Sequence, residues 1–303
     1  MKKDLISIKD LTRQEIMGLF NVAKSLKKNP LSKNASLAGK SLALVFQKPS
    51  NRTRVSFEVG VFQLGGNAIY LGPDEVKLGV RESFKDAAKV LGRYADGIVA
   101  RTFSHDDVVN MAKFSSAPVI NGLSDLLHPC QGLSDLFTIE EIFGKKKIKI
   151  AFVGDGNNVL HSLLIGSSIL ARDIHIATPK GSEPDSGILN EAKKYAAKSK
   201  SKIIVGNDPK KCVEQADIIY TDVWVSMGEK SKKVDMETFK AFQVNEELLT
   251  CAKKDVLVMH CLPAHRGEEI TDAVMDSKSS IVYDQAENRL HVQKAILLKL
   301  LGG

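Results

Sequence analysis

The chain has 303 residues, of which 43% are hydrophobic, and this is enough for two ordinary domains with separate cores. A formal net charge of +7 would suit nucleic acid, an anionic membrane surface or small anionic substrates. The lysines are dispersed and aromatic residues make up only 6% of the chain, so no basic, aromatic-rich stripe indicates nucleic acid. No apolar run approaches the length of a membrane span. We therefore expect small anionic substrates, with neither nucleic acid nor a membrane as a partner.

The four cysteines favour a reducing compartment. Cys130, Cys212, Cys251 and Cys261 form no C-x-x-C pair, the spacing that the usual zinc sites would need. Four cysteines in a chain of this length do not resemble a disulfide scaffold either. Because residues 1–6 lack the apolar core of a signal peptide, we expect a cytoplasmic protein without a bound metal.

Strand and helix patterns alternate along the chain. Thr12 and Glu15 have the spacing of a capping box that opens the first helix, and Asn29 with Pro30 ends it. Apolar spacing predicts further helices at residues 55–62, 83–94, 106–115, 159–170, 187–198 and 293–301, and another that ends at residue 143. Short apolar runs predict strands at residues 41–46, 68–71, 97–100, 118–120, 147–153, 174–177, 202–205, 218–220, 256–259 and 280–283.

Two of these helices have a predicted inner face. In the first, the face consists of Phe57, Val61 and Phe62. In the second, it consists of Ala87, Ala88, Val90 and Leu91. Side chains at this spacing share one side of a helix, so we expect both sets to be buried.

The alternation restarts near residue 140, which divides the chain into two series. Strands that alternate with helices predict parallel sheets with right-handed crossovers. The fold class is therefore α/β, with two domains that are each a parallel sheet flanked by helices. Ligands of such sheets bind at the carboxyl ends of the strands, where the polar motifs of this chain lie.

The most informative motif is the segment 50–54, which reads Ser50-Asn51-Arg52-Thr53-Arg54 and joins a predicted strand to a predicted helix. The first N–H groups of a helix have no partner within it, and the positive end of the helix dipole points outward there. Two hydroxyls and two guanidinium groups at this point are suited to binding a phosphate dianion. The alternative is a capped helix start with two solvated arginines.

Each of the other motifs is ambiguous alone. Gly154-Asp155-Gly156 is half of a dinucleotide fingerprint, but the third glycine is absent, so a nicotinamide site has little support. His128 alone could be a buried histidine without a catalytic role. Cys261 lies near His260 and His265, which would permit a cysteine hydrolase, but no orienting carboxylate or oxyanion motif supports one. As a small hydrophobic residue, Cys261 could equally be part of a core.

Together, the motifs resemble the aspartate/ornithine carbamoyltransferase family, and within it the ornithine-specific members, over nearly the whole chain. The motifs that carry the resemblance are the phosphate loop at 50–54, H-P-x-Q at His128–Gln131, one spacing variant of D-x-x-N-N at Asp155-Gly156-Asn157-Asn158, S-M-G at Ser226–Gly228 and H-C-L-P at His260–Pro263. Two positions depart from the family pattern: Asn51 replaces a threonine, and Lys77 stands where a glutamine is usual. The amide of Asn51 can still donate a hydrogen bond to a phosphate.

The resemblance implies transfer of the carbamoyl group from carbamoyl phosphate to the δ-amine of L-ornithine, which gives L-citrulline and phosphate in arginine biosynthesis. It implies no cofactor and a homo-oligomer, expected to be a trimer. It also implies a carbamoyl phosphate-binding domain at residues 1–137, to which a C-terminal helix at residues 288–303 crosses back. The ornithine-binding domain is then residues 138–287.

The resemblance assigns roles to individual residues. The carbamoyl phosphate ligands are Ser50, Asn51, Arg52, Thr53, Arg101, His128, Gln131, Cys261, Leu262 through its carbonyl, and Arg289. Lys77 is expected to reach a neighbouring subunit's site, with a solvated loop lysine as the alternative. The ornithine ligands are Asn158, Asp222, Ser226 and Met227. The catalytic residues are Arg101, His128 and Cys261, where Cys261 either accepts a proton from the δ-amine or only orients that amine.

Two alternative functions stay open on the sequence. One is a carbamoyltransferase with another amine acceptor, such as putrescine. The other is a non-catalytic ligand-binding protein on the same fold. Arg101, His128, Gln131, Asp222 and Cys261 occur together, and a scaffold would not need all of them.

Overall fold

The computed structural model of this protein describes residues 3–28, 35–76, 78, 82–225 and 236–302. The chain divides into two compact units. The first unit is Met1–Ser134 with Asn288–Gly303, and the second is Asp135–Glu287. No helix among the described residues has both the length and the apolar content to cross a bilayer.

Each unit is built on a parallel β-sheet. The strands of the first unit are β1 (Ser41–Phe46), β2 (Asn67–Leu71), β3 (Gly97–Arg101) and β4 (Val119–Leu123), in the order β2-β1-β3-β4. The strands of the second unit are β5 (Lys149–Val153), β6 (Asp173–Ala177), β7 (Ile203–Gly206), β8 (Ile218–Thr221) and β9 (Leu257–His260), in the order β7-β6-β5-β8-β9.

Helices connect these strands. Among the described residues, the longer helices are α1 (Arg13–Lys28), α2 (Asn51–Gln63), α4 (Phe84–Tyr94), α5 (His105–Phe114), α6 (Pro129–Phe143), α7 (Asn158–Ile169), α8 (Ser186–Ser199) and α13 (Val282–Leu301). The shorter ones are a 3-10 turn at Ile8–Asp10, α3 (Pro73–Val76), α9 (Pro209–Val213), α10 (Met236–Lys240), α11 (Glu246–Thr250) and α12 (Asp272–Met275). The boundary between the units falls within α6 and α13, which are continuous helices.

Both sheets have their own apolar cores because their strands are apolar in nearly every position. The central strand β1 of the first unit is buried from Leu42 to Phe46. In the second unit, the central strand β5 is buried from Ile150 to Val153. Strands with helices on both faces need such runs, and the alternating pattern of half-exposed strands does not suit them. The predicted α/β class with two parallel sheets is confirmed, as is the return of the C-terminal helix to the first unit.

The predicted strand at residues 280–283 is wrong. Val282 begins α13, and Ser280 makes only one isolated bridge, to Val258. Ile281 already accepts the helical hydrogen bond from the N–H of Gln285. Residues 279–281 pair with the edge of β9 over about one strand position before the chain enters the helix. The apolar residues of this short stretch therefore have the local pattern of a strand.

Two predicted inner-face residues are also wrong, whereas the capping box is confirmed. Phe57 and Val61 are buried in α2, but Phe62 is 77% exposed, and Val90 is exposed in α4. Both residues lie beside the buried stripe and not within it. At the first helix, the N–H of Thr12 donates to Glu15 and the N–H of Glu15 donates back to Thr12.

A buried arginine closes the end of α6 in the second unit. Arg172 donates to Glu140 at 2.7 Å and to the carbonyls of Gly144 and Lys146. These carbonyls follow the last turn of α6, where helical partners are lacking. The guanidinium therefore supplies hydrogen-bond donors to carbonyls that would be costly to bury without them. The Arg172 side chain is only 7% exposed.

Replacement of this arginine should destabilise the second unit. We expect Arg172→Met to lower the free energy of unfolding by about 3 kcal/mol, because it leaves Glu140 and two carbonyls without their donor. Urea unfolding measures the loss. The matched control is Arg266→Met, which removes an arginine that binds Asp272 and Asp276 on the exposed surface and should cost much less. Equal losses in the two variants would contradict the prediction.

Candidate active site

The first unit presents the amino end of α2 directly after its central strand. Ser50 is the N-cap residue, with φ −161° and ψ 112°, and its hydroxyl accepts from the N–H of Thr53 at 3.4 Å. The N–H groups of Asn51 and Arg52 belong to the first turn, so they have no acceptor within the helix. Segment 50–54 thus lies at a strand-to-helix turn, as predicted. Its geometry suits an anion.

Arg101 places an uncompensated charge beside this turn. It is the last residue of β3 and lies in register with Phe46, the last residue of β1. Its side chain is 4% exposed. Across the residues that the structure describes, no carboxylate pairs with Arg101, and its Nε has no hydrogen-bond acceptor. Burial and then the charges of Arg289 and Arg52 lower the pKa of Arg101 to about 10.

Arg289, from the part of α13 that belongs to the first unit, joins two of the other predicted residues. Its Nη1 donates to Oε1 of Gln131 at 2.5 Å, and its Nη2 donates to Oγ1 of Thr53 at 3.1 Å. Three segments far apart in the sequence therefore meet at this arginine. Arg54 lies apart from the cluster, because it pairs with Glu58 at 3.0 Å and stacks on Tyr70.

His128 is the uncharged member of the group. It directly precedes α6 and is buried. Burial holds the pKa of His128 well below its usual 6.5, and the positive charges of Arg289, Arg101 and Arg52 lower it further. A neutral imidazole carries one N–H, so His128 can donate one hydrogen bond to a bound group without adding charge.

In the second unit, the ends of two adjacent strands bring Asp222 and Cys261 together. Cys261 donates from Sγ to Oδ1 of Asp222 at 2.9 Å. Asn157 donates from Nδ2 to Oδ2 of Asp222 at 2.7 Å. The same asparagine caps α7 through its Oδ1, whereas the predicted ligand Asn158 is the first helical residue and is also buried. The sequence prediction missed Asn157, and its N-cap position before α7 was the available signal.

The segment after β9 has an unusual backbone at Leu262. This residue has φ 59°, in the left-handed region that non-glycine residues rarely adopt. The N–H of Leu262 donates to Nδ1 of His260 at 2.8 Å, and Nε2 of His260 lies 2.9 Å from Oε1 of Glu269. Because Nδ1 accepts, Nε2 carries the ring hydrogen and donates to Glu269. Glu269 is a second residue that the sequence prediction missed.

The remaining predicted residues fall into two groups. Asn51 is exposed and Arg52 is partly exposed at the start of α2. Lys77, Ser226 and Met227 lie outside the described residues, so their predicted roles stay predictions.

Two groups of side chains in the described part of the chain could hold a metal ion. They are Asp222 with His260 and Cys261, and His265 with Glu268 and Glu269. In each group the ligand atoms lie within 4.8 Å of one another. The first group already forms the contacts described above, and the predicted absence of a metal stays a prediction.

These features define a class of protein: two α/β units, of which one surrounds the start of a helix with buried arginines and a neutral histidine. Comparison with known families identifies the class further. Residues 3–141 match the aspartate/ornithine carbamoyltransferase carbamoyl-P binding domain, and residues 146–300 match the aspartate/ornithine carbamoyltransferase Asp/Orn binding domain. The chain therefore belongs to the aspartate/ornithine carbamoyltransferase family.

Individual relatives cover the whole length. An ornithine carbamoyltransferase of Thermococcus kodakarensis is 50% identical over 99% of this chain and 97% of its own. One from Methanocaldococcus jannaschii is 49% identical over 96% of this chain and 97% of its own. The solved ornithine carbamoyltransferase of Pyrococcus furiosus has a TM-score of 0.96 and 49% identity, and the match covers 99% of this chain and 97% of that one.

His128 predicts a pH dependence of stability. Its ring stays neutral in the folded chain, whereas in the unfolded chain it takes up a proton as the pH falls below 6.5. The unfolded state then binds more protons than the folded state. His128 should therefore lower the free energy of unfolding by at most about 1.4 kcal/mol for each unit by which the pH is decreased.

Urea unfolding at about pH 7.5 and about pH 5.5 measures the effect, with His128→Gln as the comparison. The variant should lose less stability than the unchanged protein over this interval. The same loss in both proteins would show that His128 does not contribute.

Proposed function

We propose that this protein transfers the carbamoyl group of carbamoyl phosphate to the δ-amine of L-ornithine, giving L-citrulline and phosphate. The observation that carries the proposal is the buried Arg101 guanidinium, which no carboxylate of the described residues neutralises. A buried charge of this kind needs a partner, and an anionic substrate would supply it. The family and the names of the full-length relatives support this substrate and acceptor.

The first unit would bind carbamoyl phosphate. The start of α2 offers N–H groups and the side chains of Ser50, Asn51, Arg52 and Thr53 to the phosphate dianion. Arg289 already contacts Thr53 and Gln131, so it can hold the phosphate with little rearrangement. We propose residues 1–137 with 288–303 as the domain that performs this binding.

The carbonyl chemistry would fall to Arg101, His128 and Gln131. As the amine attacks, negative charge develops on the carbonyl oxygen, and preorganised donors stabilise it without reorganisation. Arg101 would bridge the phosphate and this oxygen, and neutral His128 would donate its N–H to the oxygen. Gln131 would accept a hydrogen bond from the carbamoyl NH2 group, and the Leu262 carbonyl is proposed as a further acceptor for it.

The second unit, with residues 138–287 as the proposed domain, would bind ornithine. The carboxylate of Asp222 accepts from Asn157, Cys261 and its neighbour Val223, which holds its negative charge in place for the α-ammonium group. Asn158, with Ser226 and Met227, is proposed to complete the amino acid site. The Cys261 thiol would lie beside the δ-amine. Its hydrogen bond to Asp222 favours an orienting role for Cys261.

We further propose that the protein is a homo-oligomer, expected to be a trimer. Val55, Val59 and Phe62 form an exposed apolar stripe along α2, and Ile69 is exposed on the neighbouring edge strand β2. An apolar stripe beside an open sheet edge is typical of a surface that a second chain covers. Lys77 is proposed to act in a neighbouring subunit's site.

A charge on this stripe should disrupt the oligomer. We expect Phe62→Asp to lower the molar mass measured by light scattering, because a carboxylate would be buried in an apolar contact. Tyr94→Asp, which changes another exposed aromatic residue on α4, is the control. An unchanged mass for Phe62→Asp would place the interface elsewhere.

We also propose that the protein works in the cytoplasm, in arginine biosynthesis. All four cysteines lie in the described part of the chain, and none of them is in a disulfide. Free thiols persist in reducing compartments.

An assay of ureido product with carbamoyl phosphate as donor tests the proposed function directly, because it detects citrulline as well as the carbamoylated products of other amines. L-Ornithine, putrescine and L-aspartate are compared as acceptors at the same concentration. Turnover should be fastest with ornithine. Faster turnover with putrescine would show that Asp222 does not serve an α-ammonium group, and no turnover with any of the three would refute carbamoyl transfer.

Arg101 should be indispensable to that activity. We expect Arg101→Met to lower kcat/KM for carbamoyl phosphate by about a hundredfold to a thousandfold, because a donor to the developing charge is lost. Calorimetry should also show weaker binding of inorganic phosphate. The control is Arg93→Met, which removes an exposed arginine of α4 and should change neither quantity. Retention of activity in Arg101→Met would refute the assigned role.

A further inference from the structure

A network of three buried polar side chains lies next to the strands that carry Asp222 and Cys261, and none of the three has a proposed contact with substrate. Tyr220 donates from its hydroxyl to Oδ2 of Asp135 at 3.0 Å. Gln285 donates from Nε2 to Oδ1 of Asp135 at 2.7 Å and to the Tyr220 hydroxyl at 3.1 Å. All three side chains are buried, and all belong to the second unit.

The remaining amide oxygen of Gln285 connects this network to β9. Its Oε1 accepts from the N–H of His260 at 2.9 Å. β9 is the last strand of its sheet, and alternate residues of a strand direct their backbone groups to the same side. Val258 uses that side to pair with residues 279 and 281. At His260 no backbone carbonyl of the described neighbouring segment is available to accept from the N–H, and the side-chain amide oxygen of Gln285 accepts from it instead.

His260 is the last residue of β9, and the segment that carries Cys261 and Leu262 begins after it. Cys261 follows it directly, and the N–H of Leu262 donates back to its ring. Tyr220, at the other end of the network, is followed after one residue by Asp222, the partner of Cys261. The network therefore ties together the two strand ends that carry the Asp222–Cys261 contact.

The protonation states keep the network intact. Burial, together with the negative charge of Asp135, raises the pKa of Tyr220 well above its usual value, so its hydroxyl remains a donor. Asp135 accepts from both neighbours, and Gln285 uses both ends of its amide. A buried carboxylate is costly to desolvate, so such a group stabilises poorly compared with apolar packing.

We propose that Gln285, supported by Tyr220 and Asp135, is a positioning residue for carbamoyl transfer, which sets the place of Cys261 and Leu262 through the backbone of His260. The inference rests on the proposed function. It leaves phosphate binding unchanged, because Tyr220, Asp135 and Gln285 belong to the second unit, whereas the proposed phosphate ligands belong to the first.

The same helix provides a matched control. Gln293 is also a fully buried glutamine of α13, but within the described part of the chain neither its Oε1 nor its Nε2 has a hydrogen-bond partner. Replacement of an unsatisfied buried amide by an apolar side chain of similar shape is neutral or stabilising. Gln293→Met should therefore leave activity unchanged.

The experiment compares Gln285→Met, Tyr220→Phe and Gln293→Met with the unchanged protein, at a temperature at which all are folded. For Gln285→Met we expect kcat/KM for ornithine to fall by about tenfold to a hundredfold, because the reacting groups are misplaced. Tyr220→Phe removes one oxygen atom and should cause a smaller fall. Phosphate affinity, measured by calorimetry, should be unchanged in all three variants. A purely structural role would lower thermal stability and leave kcat/KM for ornithine of the folded enzyme intact.

A second measurement does not depend on activity. The alkylation rate of Cys261 by iodoacetamide should rise severalfold in Gln285→Met and Tyr220→Phe, since its contact with Asp222 is loosened. Cys251, which is also partly exposed, provides the internal reference. An unchanged Cys261 rate in both variants would overturn the inference. The inference would also be overturned if Gln285→Met kept the wild-type kcat/KM for ornithine. A loss of phosphate affinity as large as the loss in kcat/KM would overturn it too.

The outcomes for the two proposals are separate. If the unchanged protein makes no citrulline, the proposed function fails, while the alkylation rates still decide whether the network positions Cys261. If Gln285→Met does not fold, Tyr220→Phe decides by the same two measurements.

Discussion

The constraint on which the first unit depends is the buried positive charge of Arg101, which no carboxylate of the described residues neutralises. Arg101 and Arg289 are buried, Arg52 lies close to them, and their mutual repulsion adds to the cost of desolvation. A folded protein tolerates such a cluster only where the rest of the unit is stable enough to hold it. Here the apolar parallel sheet supplies that stability, and three separate segments deliver the charges to the end of its central strands. A dianion would relieve the repulsion, so the architecture and its ligand preference have the same electrostatic origin.

The second unit places a carboxylate, and not a guanidinium group, at the ends of its strands. Asp222 is buried and negative, and Asn157, Cys261 and the backbone of Val223 fix the directions of its oxygens. This oriented carboxylate suits a cation, as the proposed binding of an α-ammonium group requires.

The sequence predicts candidate site residues but not the residues that fix their positions. Segment 50–54 follows β1 and Arg101 ends β3, so their positions at the carboxyl ends of apolar strands could be predicted. His128 is ambiguous alone, and only the family resemblance assigned its role. The side chains of Asn157 and Gln285 form hydrogen bonds with residues far along the chain, and nothing in their immediate neighbours indicates those partners. The false strand at residues 280–283 has the same origin, because whether that stretch becomes strand or helix depends on the edge of β9 and not on its own residues.

Two buried arginines show how a functional charge can be separated from a structural one. Arg172 has a carboxylate and two carbonyls as partners, and all of its role is accounted for by the end of α6 that it closes. Arg101 is equally buried, but no carboxylate among the described residues pairs with it, and its nearest charges are positive. Natural sequences break the rule that buried charges are paired mainly where function requires it. The unpaired arginine therefore indicates a binding site from physical chemistry alone, independently of any motif around it.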